Sequence, residues 1–395
     1  MPNFVNGVSV LPMSADLHRQ ANTVAVLRAL SGHGPSSVAA LRALTGLSRP
    51  TLDAIVTDLS AGRMIIQDEP GPTARKTASS GRPARQFAVN PGAGFVAGID
   101  VGRHKIVVCI ADLTGAVRVE RRADVGAAAD GAELVATVQR TLTEAVAEVP
   151  LAVGQLRGIA LGVPGAVDAT GRITRSVVIP QWSGYDVGRV LAEWARVPVS
   201  INNDANLAAL AEQWRGTARL CQDVVYILAG RRTRAAIMIN GTVLTGRHGE
   251  AGEVGSVPEL FFDTPQVLLG DPAADSERVA GVFTAARDGD RDSQARVQVF
   301  CRELARTLRF LITVLDPELV VIGGGLAAAG DQIIAGLGEH LRASELRTPL
   351  VASMLGDGAV ALGGVRKAQL LAGTDDPLVG AITEAAAENF ATAHP

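Results

Sequence analysis

The sequence predicts an N-terminal winged helix-turn-helix domain followed by an α/β body made of two similar halves around a central cleft. Two short capped helices around a glycine-containing turn predict the first domain, and a basic stretch rich in Gly, Ser and Pro between two strands predicts its wing. An internal repeat predicts the body. The segments 96–117 and 224–244 share one layout of strand, glycine, basic tip, strand, turn and strand.

The length and composition fit a protein of two or three domains with well-filled cores. The chain has 395 residues, of which 47% are hydrophobic, and a mean hydropathy of +0.23. No run reaches the roughly 18 apolar residues that a membrane helix needs, and the first residues lack a secretory signal. The three cysteines stand apart and offer neither a disulfide framework nor a metal motif. We therefore expect a cytoplasmic protein that does not associate with a membrane.

The charge is divided unevenly along the chain. Residues 1–95 contain nine Lys or Arg and five Asp or Glu, a net +4, which leaves −7 for the rest because the whole chain carries −3. This asymmetry favours an anionic partner for the N-terminal part. Only three of the 37 basic residues are lysine, so an arginine cluster is weaker support for a binding site here than in most proteins.

The helix-turn-helix begins with an apolar stripe at Val24, Leu27 and Leu30. Ser37 is placed to cap a helix over 38–44, the pair Thr45-Gly46 makes the turn, and Ser48 is placed to cap the next helix, with Pro50 in its first turn. This second helix would be the recognition helix, with small polar and basic residues at its start directed into the major groove: Ser48, Arg49, Thr51 and Asp53. The alternative is a small helical packing unit.

The wing follows the recognition helix. MIIQDEP and FAVNP are expected to be strands, and the stretch GPTARKTASSGRPARQ between them is basic. Arg82, in Gly81-Arg82-Pro83, is predicted to lie along a narrow minor groove, and Arg75, Lys76 and Arg85 near phosphates. A solvated linker is the alternative interpretation.

From Phe95 short β-rich runs alternate with Ala/Leu-rich helical stretches. Five motifs occur in order: GIDVGRHKI (98–106), LGVPGAVD (161–168), INNDANLAALAE (201–212), GRHGEAGEVGS (246–256) and LVVIGGGLA (319–327). Together they resemble the ROK family, whose name stands for repressors, open reading frames and kinases. The resemblance implies an actin-like ATPase fold (RNase H-like, duplicated) for residues 93–395, in lobes of about 93–205 and 206–395, and a winged helix over 1–92.

The resemblance also implies how a family kinase would work and where this chain departs from it. Asp204 occupies the general-base position. The phosphate-binding hairpins, which are small and glycine-rich in the kinases, carry Arg103 and His104 here in the first and arginines in the second. The cysteine cluster that binds zinc in many members is missing after Glu253. We therefore expect neither kinase activity nor a metal or other cofactor.

The cleft is predicted to keep a sugar site. By resemblance, the residues that contact sugar hydroxyls are Gly165, Asn203, Asp204 and Glu253. Trp182 is either an aromatic platform for the sugar or part of the core. The two basic hairpin tips are interpreted first as solvated, and alternatively as an anion site formed by Arg103, His104, Lys105, Arg231, Arg232 and Arg234.

These observations predict a DNA-binding transcriptional regulator, a repressor of carbohydrate-related genes. Its partners would be a palindromic double-stranded operator, a sugar or sugar-derivative effector, and other copies of itself in a homodimer or homotetramer. One alternative is an active ATP-dependent sugar kinase that carries a winged helix. A second is a DNA-binding oligomer that does not respond to a ligand.

Overall fold

The computed structural model describes residues 4–5, 8–9, 15–68, 85–126, 130–230, 232–260, 263–341, 347–375 and 378–382. The chain divides into two compact units. The first combines Met1–Phe95 with Asp112–Ala116 and Ala372–Pro395, and the second combines Val96–Ala111 with Val117–Leu371. Both ends of the chain therefore belong to the first unit.

Between residues 15 and 89, the described part of the first unit forms three helices and a small sheet. The helices are α1 (Ala15–His33), α2 (Val38–Thr45) and α3 (Arg49–Ala61). Ser37 and Ser48 are the N-caps of α2 and α3, and each side chain accepts a backbone N–H of the first turn, as the sequence predicted. Gly46 ends α2 at a φ of 70°, a left-handed conformation that glycine adopts without steric cost.

The strands of the first unit are β1 (Phe4–Val5), β2 (Val8–Ser9), β3 (Ser36–Ser37), β4 (Ile65–Asp68) and β5 (Gln86–Val89). β1 pairs with β2, and the other three form an antiparallel sheet in the order β3-β5-β4. The sheet confirms the two predicted wing strands, while β3 was not predicted because two serines carry no strand pattern. The tip of the wing, residues 69–84, lies outside the described residues.

The body contains two five-stranded sheets. The strands of the first are β6 (Phe95–Val101), β7 (Lys105–Asp112), β8 (Val117–Asp124), β9 (Ile159–Val163) and β12 (Val199–Asn203), with a separate ribbon of β10 (Ala166–Val167) and β11 (Ile173–Arg175). The strands of the second are β13 (Val224–Leu228), β14 (Arg234–Ile239), β15 (Thr242–Val243), β16 (Leu319–Gly323) and β17 (Leu350–Ala352).

The two sheets share one topology. Their strand orders are β12-β9-β6-β7-β8 and β15-β14-β13-β16-β17. In each sheet, the strand that comes first in the chain, β6 or β13, lies in the centre. It is followed on one side by two antiparallel strands and on the other side by two parallel strands. The predicted duplication is therefore confirmed, and each predicted hairpin is the start of one sheet.

Helices cover the sheets: α4 (Gly131–Val146), α5 (Val187–Ala195), α6 (Asp204–Arg215), α7 (Thr264–Leu269), α8 (Ser276–Arg287), α9 (Arg291–Leu315), α10 (Gly330–Leu341) and α11 (Ala359–Asp375). In β13, Val225 and Ile227 join the core beneath α8, α9 and α10, while Val224 and Tyr226 join the core that includes α6. Burial on both faces explains why this strand reads as a continuous apolar run. None of the helices in the described ranges is long and apolar enough to cross a membrane.

Helix α11 packs on the first sheet. A Cβ at Gly98 in β6 would lie 2.1 Å from the carbonyl oxygen of Ala361, and one at Gly364 would lie 2.9 Å from the Cα of Gly98. Only glycine allows this approach of helix to strand. The predicted second lobe of 206–395 thus differs from the observed packing, because α11 covers the first sheet and the chain after Leu371 belongs to the first unit.

Candidate functional site

The candidate site lies where the parallel strands of the first sheet end. β6, β9 and β12 run side by side, and the register pairs Asp100 of β6 and Asn202 of β12 with the same residue, Gly162 of β9. The carboxyl ends of parallel strands are the usual position of ligand sites in α/β proteins. Asn203 ends β12, and Asp204 begins α6.

Asn203 connects three parts of the site. Its side-chain oxygen accepts the backbone N–H of Asn206 at 3.1 Å, which caps α6. Its Nδ2 donates to the carbonyl oxygen of Gly165 at 2.9 Å and to Oε1 of Glu253 at 3.0 Å. From the sequence, Asp204 was a candidate for the N-cap of α6, whereas in the structure Asn203 is the N-cap. The predicted sugar-contacting residues are thus brought together by one amide.

Asp204 is paired with Arg234. The Oδ2 of Asp204 accepts from Nη2 of Arg234 at 2.5 Å, and its Oδ1 accepts the backbone N–H of Ala205 at 2.8 Å. The exposed fractions of the two side chains are only 7% and 18%. Burial raises the pKa of Asp204, while Arg234 and the N–H of Ala205 act in the opposite direction. The prediction of a solvated arginine tip is therefore wrong for Arg234.

Asp100 is a second buried carboxyl group in the site. Burial, and then the neighbouring charge of Asp204, raise its pKa to about 7. Lys105 opposes this rise, but its ammonium group is itself paired with Asp357 at 2.7 Å. The first basic tip thus has an acidic partner from the turn before α11, which the sequence did not predict.

An open cleft adjoins these groups. Its lining combines the predicted Gly165 and Glu253 with groups from both sheets: Pro164, Arg175, Val177, Val178, Arg232, Thr233, Arg234, Gly255 and Ser256. Burial raises the pKa of Glu253. Thr233 is 5% exposed, and its hydroxyl has no hydrogen-bond partner among the described residues. Arg175 contacts Glu250 at 3.3 Å.

One loop of the second sheet contacts the β10–β11 ribbon. The loop that carries Glu250 lies against the β10–β11 ribbon, where the hydroxyl of Thr174 donates to the carbonyl oxygen of His248 at 3.3 Å. Gly249, at a φ of +76°, lies so near β10 that an added Cβ would be 2.1 Å from the carbonyl oxygen of Val167. The segment after β14 thus contacts the ribbon that follows β9.

Trp182 does not face the cleft. It is 1% exposed, and its indole N–H donates to the carbonyl oxygen of Gly131 at 2.9 Å, at the start of α4. A satisfied indole in the interior is a packing residue. Of the two interpretations that the sequence left open, the core is therefore correct.

The remaining residues of the predicted anion site are dispersed. Arg232 lines the cleft, Arg103 is partly buried, and His104 is exposed at the tip between β6 and β7. Arg231 lies outside the described residues. Arg175, which joins Arg232 and Arg234 in the cleft, was missed because a single arginine in β11 forms no motif.

The predicted DNA-contacting residues are exposed at the start of α3. Ser48 and Arg49 are exposed and Thr51 is partly so, and the hydroxyls of Ser48 and Thr51 are 2.8 Å apart. Nε of Arg49 lies 3.8 Å from Asp53, one turn later. Arg85 is exposed before β5, while Arg75, Lys76 and Arg82 lie outside the described residues.

Comparison with known proteins now adds to this geometry. The sequence model of the ROK family matches residues 96–265 and 272–369. The chain belongs to the ROK family. The xylose repressor of Caldicellulosiruptor bescii is 23% identical over 383 residues, which cover 88% of this chain and 95% of the repressor. The glucokinase of Halalkalibacterium halodurans is 27% identical over 308 residues, 68% of this chain and 92% of the kinase.

The fold of this ROK protein is also that of a solved relative. A ROK family transcriptional regulator, a homologue of the E. coli MLC protein, superposes with a TM-score of 0.65 at 19% identity, over 95% of this chain and 98% of the regulator. This match confirms the predicted fold class, an N-terminal helix–strand segment with an actin-like ATPase body. The identities to the repressor and to the kinase are too similar to separate the two activities.

Two features of the site bear on the expectations drawn from the family resemblance. Asp204, which the resemblance places at the general-base position, is paired with Arg234. Among the described residues, no group of three or more His, Cys, Asp or Glu side chains is arranged to hold a metal ion. The glycine loop is retained at Gly323 and Gly324, where a Cβ at Gly323 would lie 2.2 Å from the hydroxyl of Tyr226.

Proposed function

We propose that this ROK protein is a DNA-binding transcriptional regulator of carbohydrate-related genes, a repressor, whose body senses a sugar and does not phosphorylate it. The observation that carries the proposal is the buried ion pair between Asp204 and Arg234. A general base has to accept a hydroxyl proton within hydrogen-bond reach of the substrate. Here that carboxylate already accepts from a guanidinium and from a backbone N–H.

The hairpin tips support the same proposal. Phosphoryl transfer depends on backbone N–H groups and metal ions that neutralise the developing charge on phosphate oxygens. Bulky side chains stand where the family kinases have small residues, at Arg103 and His104 in the first hairpin and at Arg232 and Arg234 in the second. A cleft that holds a ligand and changes shape is sufficient for a sensor.

The N-terminal unit supports the DNA-binding part. Its α3 is capped by Ser48 and exposes Arg49 at its first position, which is the arrangement by which a recognition helix presents its N-terminal side chains to base edges. A relative that matches nearly the full length is a xylose repressor. A homodimer or homotetramer in the cytoplasm would present paired recognition helices to a palindromic operator, and a sugar in the cleft would alter their spacing.

The DNA contacts can be tested without knowing the operator. The full-length protein is used to select binding sequences from a random duplex library, and dissociation constants for the winning sequence are then measured by fluorescence anisotropy. Arg49→Ala and Arg82→Ala should each weaken binding by roughly tenfold or more, since a base or groove contact contributes about 1–3 kcal/mol.

A matched control is available in the body. Arg189 lies in the first turn of α5 and pairs with Glu193 four residues later, as Arg49 pairs with Asp53. Arg189→Ala should leave the dissociation constant unchanged. Equal affinities for the wild type, Arg49→Ala and Arg82→Ala would refute the assignment of the DNA-binding surface.

The kinase alternative is favoured by one observation, the retention of both Asp204 and the glycine loop at Gly323–Gly325. A coupled assay of ADP release over glucose, mannose, xylose and N-acetylglucosamine separates the two functions. We expect release equal to that of Asp204→Asn. Release that exceeds this control by tenfold or more would establish the kinase, and a selected DNA complex that no sugar changes would establish the ligand-independent alternative.

A further inference from the structure

The face of α3 that points away from the core carries two side chains of opposite charge. Arg49 and Asp53 lie one helical turn apart, and their side chains are 79% and 57% exposed. The opposite face of the helix is buried through its apolar residues: Leu52, Ile55, Val56 and Leu59. If the N-terminal unit binds DNA as proposed above, the exposed face of α3 is the one that enters the major groove.

The other polar side chains on this face already have local partners. The hydroxyl of Ser48 accepts the backbone N–H of Thr51 at 3.3 Å and lies 2.8 Å from the hydroxyl of Thr51. The hydroxyl of Thr57 donates to the carbonyl oxygen of Asp53 at 2.8 Å. Two further exposed residues of this face have no hydrogen-bonding group in the side chain: Pro50 and Ala54. Arg49 and Asp53 therefore carry the strongest hydrogen-bonding groups that this face offers to a base edge.

The contact between Arg49 and Asp53 leaves both groups able to bind DNA. Nε of Arg49 lies 3.8 Å from a carboxylate oxygen of Asp53, which is longer than a hydrogen bond. Four residues of an α-helix rise about 6 Å, and successive base pairs are about 3.4 Å apart. The two side chains therefore reach bases that lie within about two base-pair steps of each other.

The carboxylate of Asp53 restricts which sequences can bind. The DNA backbone is strongly anionic, so an acid on the DNA-facing side lowers affinity unless a base supplies a donor to it. The other acidic residue of α3, Asp58, is paired with Arg19 of α1 within the same unit. An acid such as Asp53 thus raises the ratio of specific to non-specific binding.

The bases differ in what they offer a carboxylate in the major groove. Cytosine presents its N4 amino group as a donor and has no acceptor there. Adenine presents its N6 donor beside the N7 acceptor, which repels the second carboxylate oxygen, while thymine and guanine present acceptors alone. A guanidinium has the opposite requirement, because its parallel N–H groups match O6 and N7 of guanine.

We propose that Arg49 and Asp53 together select the operator sequence. Arg49 donates to O6 and N7 of a guanine, and Asp53 accepts from N4 of a cytosine within about two base-pair steps of it. The order of preference at the base that faces Asp53 is cytosine, then adenine, then thymine or guanine. Asp53 is thus a specificity-determining residue that acts against the wrong bases as well as for the right one.

Dissociation constants for a set of duplexes test the proposal. The full-length protein selects sequences from the random duplex library described above, and the winning half-sites are then remade with each base pair replaced in turn, at one salt concentration. We expect a guanine and a cytosine within two steps of each other. Replacing the cytosine by thymine should raise the dissociation constant by about tenfold or more, and replacing it by adenine should raise it less.

Variants of α3 assign each preference to its side chain. Asp53→Asn should move the preference from cytosine to adenine, because an amide matches both N6 and N7 of adenine. Asp53→Ala should reduce discrimination at that base to less than about threefold and tighten binding to a random duplex, because a repelling charge is lost. Arg49→Ala should abolish the preference for guanine. The matched control is Asp58→Asn, which removes an acid from the same helix and should leave every base preference unchanged.

The outcomes separate this proposal from the function it rests on. A protein that selects one sequence, but whose Asp53 variants prefer the same bases as the wild type, binds DNA without the contact to cytosine. If Asp53→Ala loses the preference for guanine and keeps that for cytosine, Asp53 only positions Arg49, and the cytosine contact is overturned. A wild-type protein that selects no sequence overturns both the base contacts and the DNA-binding function.

Discussion

Replacing Arg234 by methionine would show how much the ion pair with Asp204 stabilises the body. Methionine retains most of the aliphatic length of arginine but removes the charge. The carboxylate of Asp204 would then keep backbone N–H groups alone, among them that of Ala205 at 2.8 Å from its Oδ1, and would still lie near Asp100. The variant leaves a buried acidic group without its cation.

The magnitude follows from two limits. Removing one partner of a buried pair costs about 3–5 kcal/mol, because the other charge stays desolvated. Asp204 can escape this cost by binding a proton. Protonation of Asp204 at pH 7 costs about 1.4 kcal/mol for each pH unit above its unfolded pKa near 3.9, which is about 4 kcal/mol in total. We therefore expect Arg234→Met to lower the free energy of unfolding of the body by about 3–4 kcal/mol at pH 7.

The sign of the pH dependence is fixed by the same reasoning. Without Arg234, the pKa of Asp204 in the folded body is raised further above its unfolded value, so the native state binds a proton that the unfolded chain releases. Stability of this kind is present at low pH and is lost as the pH rises. The difference between wild type and variant should therefore shrink to about 1–2 kcal/mol at pH 5.

Urea unfolding of the full-length protein at pH 5, 6 and 7, followed by tryptophan fluorescence, measures these differences. Arg189→Met removes an exposed pair with Glu193 and should cost less than about 1 kcal/mol at every pH. The double variant Arg234→Met with Asp204→Asn should recover much of the loss, because both charges are gone. A loss for Arg234→Met that is below about 1 kcal/mol, or equal at pH 5 and pH 7, would refute the buried pair.

Three further predictions concern other positions. In the wild type, the raised pKa of Asp100, about 7, means that the native state holds a proton that the unfolded chain loses, so the free energy of unfolding falls between pH 4 and pH 7. Asp100→Asn should reduce this fall by up to about 1.4 kcal/mol per pH unit. Urea titrations in which the free energy of unfolding depends on pH as it does in the wild type would contradict this. Ser48→Ala should destabilise the N-terminal unit by about 1 kcal/mol through loss of the α3 cap, whereas Ser60→Ala, in the last turn of the same helix, should not. Equal denaturant midpoints for the two variants would show that the N-cap does not stabilise the unit. Gly98→Ala should destabilise the body by several kcal/mol, on the order of a severe overpacking substitution, because its Cβ would meet the backbone of α11. Gly281→Ala on α8, with open space around it, should be neutral or stabilising by up to about 1 kcal/mol. Thermal melts that rank the two in reverse order would show that α11 moves to accommodate the added methyl group.

Local signals account for the elements that the sequence predicted well. Ser37 and Ser48 satisfy the first N–H groups of their helices from within three residues, so the helix starts follow from short-range chemistry. The hairpins of the body alternate apolar runs with glycine and charged tips, and both are present as the leading strands of the two sheets. Their repetition in the chain was sufficient to predict a duplicated body.

Long-range contacts explain what the sequence did not predict. Arg234 and Asp204 are 30 residues apart, and Lys105 and Asp357 are 252 apart, so no periodic pattern connects them. The basic tips were interpreted, from the arginine-rich composition and from their places in the two hairpins, as solvated or as an anion site. Partner choice for a charged side chain depends on which other charge the fold brings within a few ångströms, and on how far both are removed from water.

The sequence by itself determined the family, the capped helices of the N-terminal unit and the duplicated sheets, because these depend on local propensity, periodicity and motif order. Only the tertiary structure decided that Trp182 belongs to the core, that α11 returns to the first sheet through Gly98, and that Asp204 is held by Arg234. Each of these depends on groups far apart in the chain meeting in a desolvated position. There the free energy of a hydrogen bond or charge is set by its neighbours rather than by its sequence.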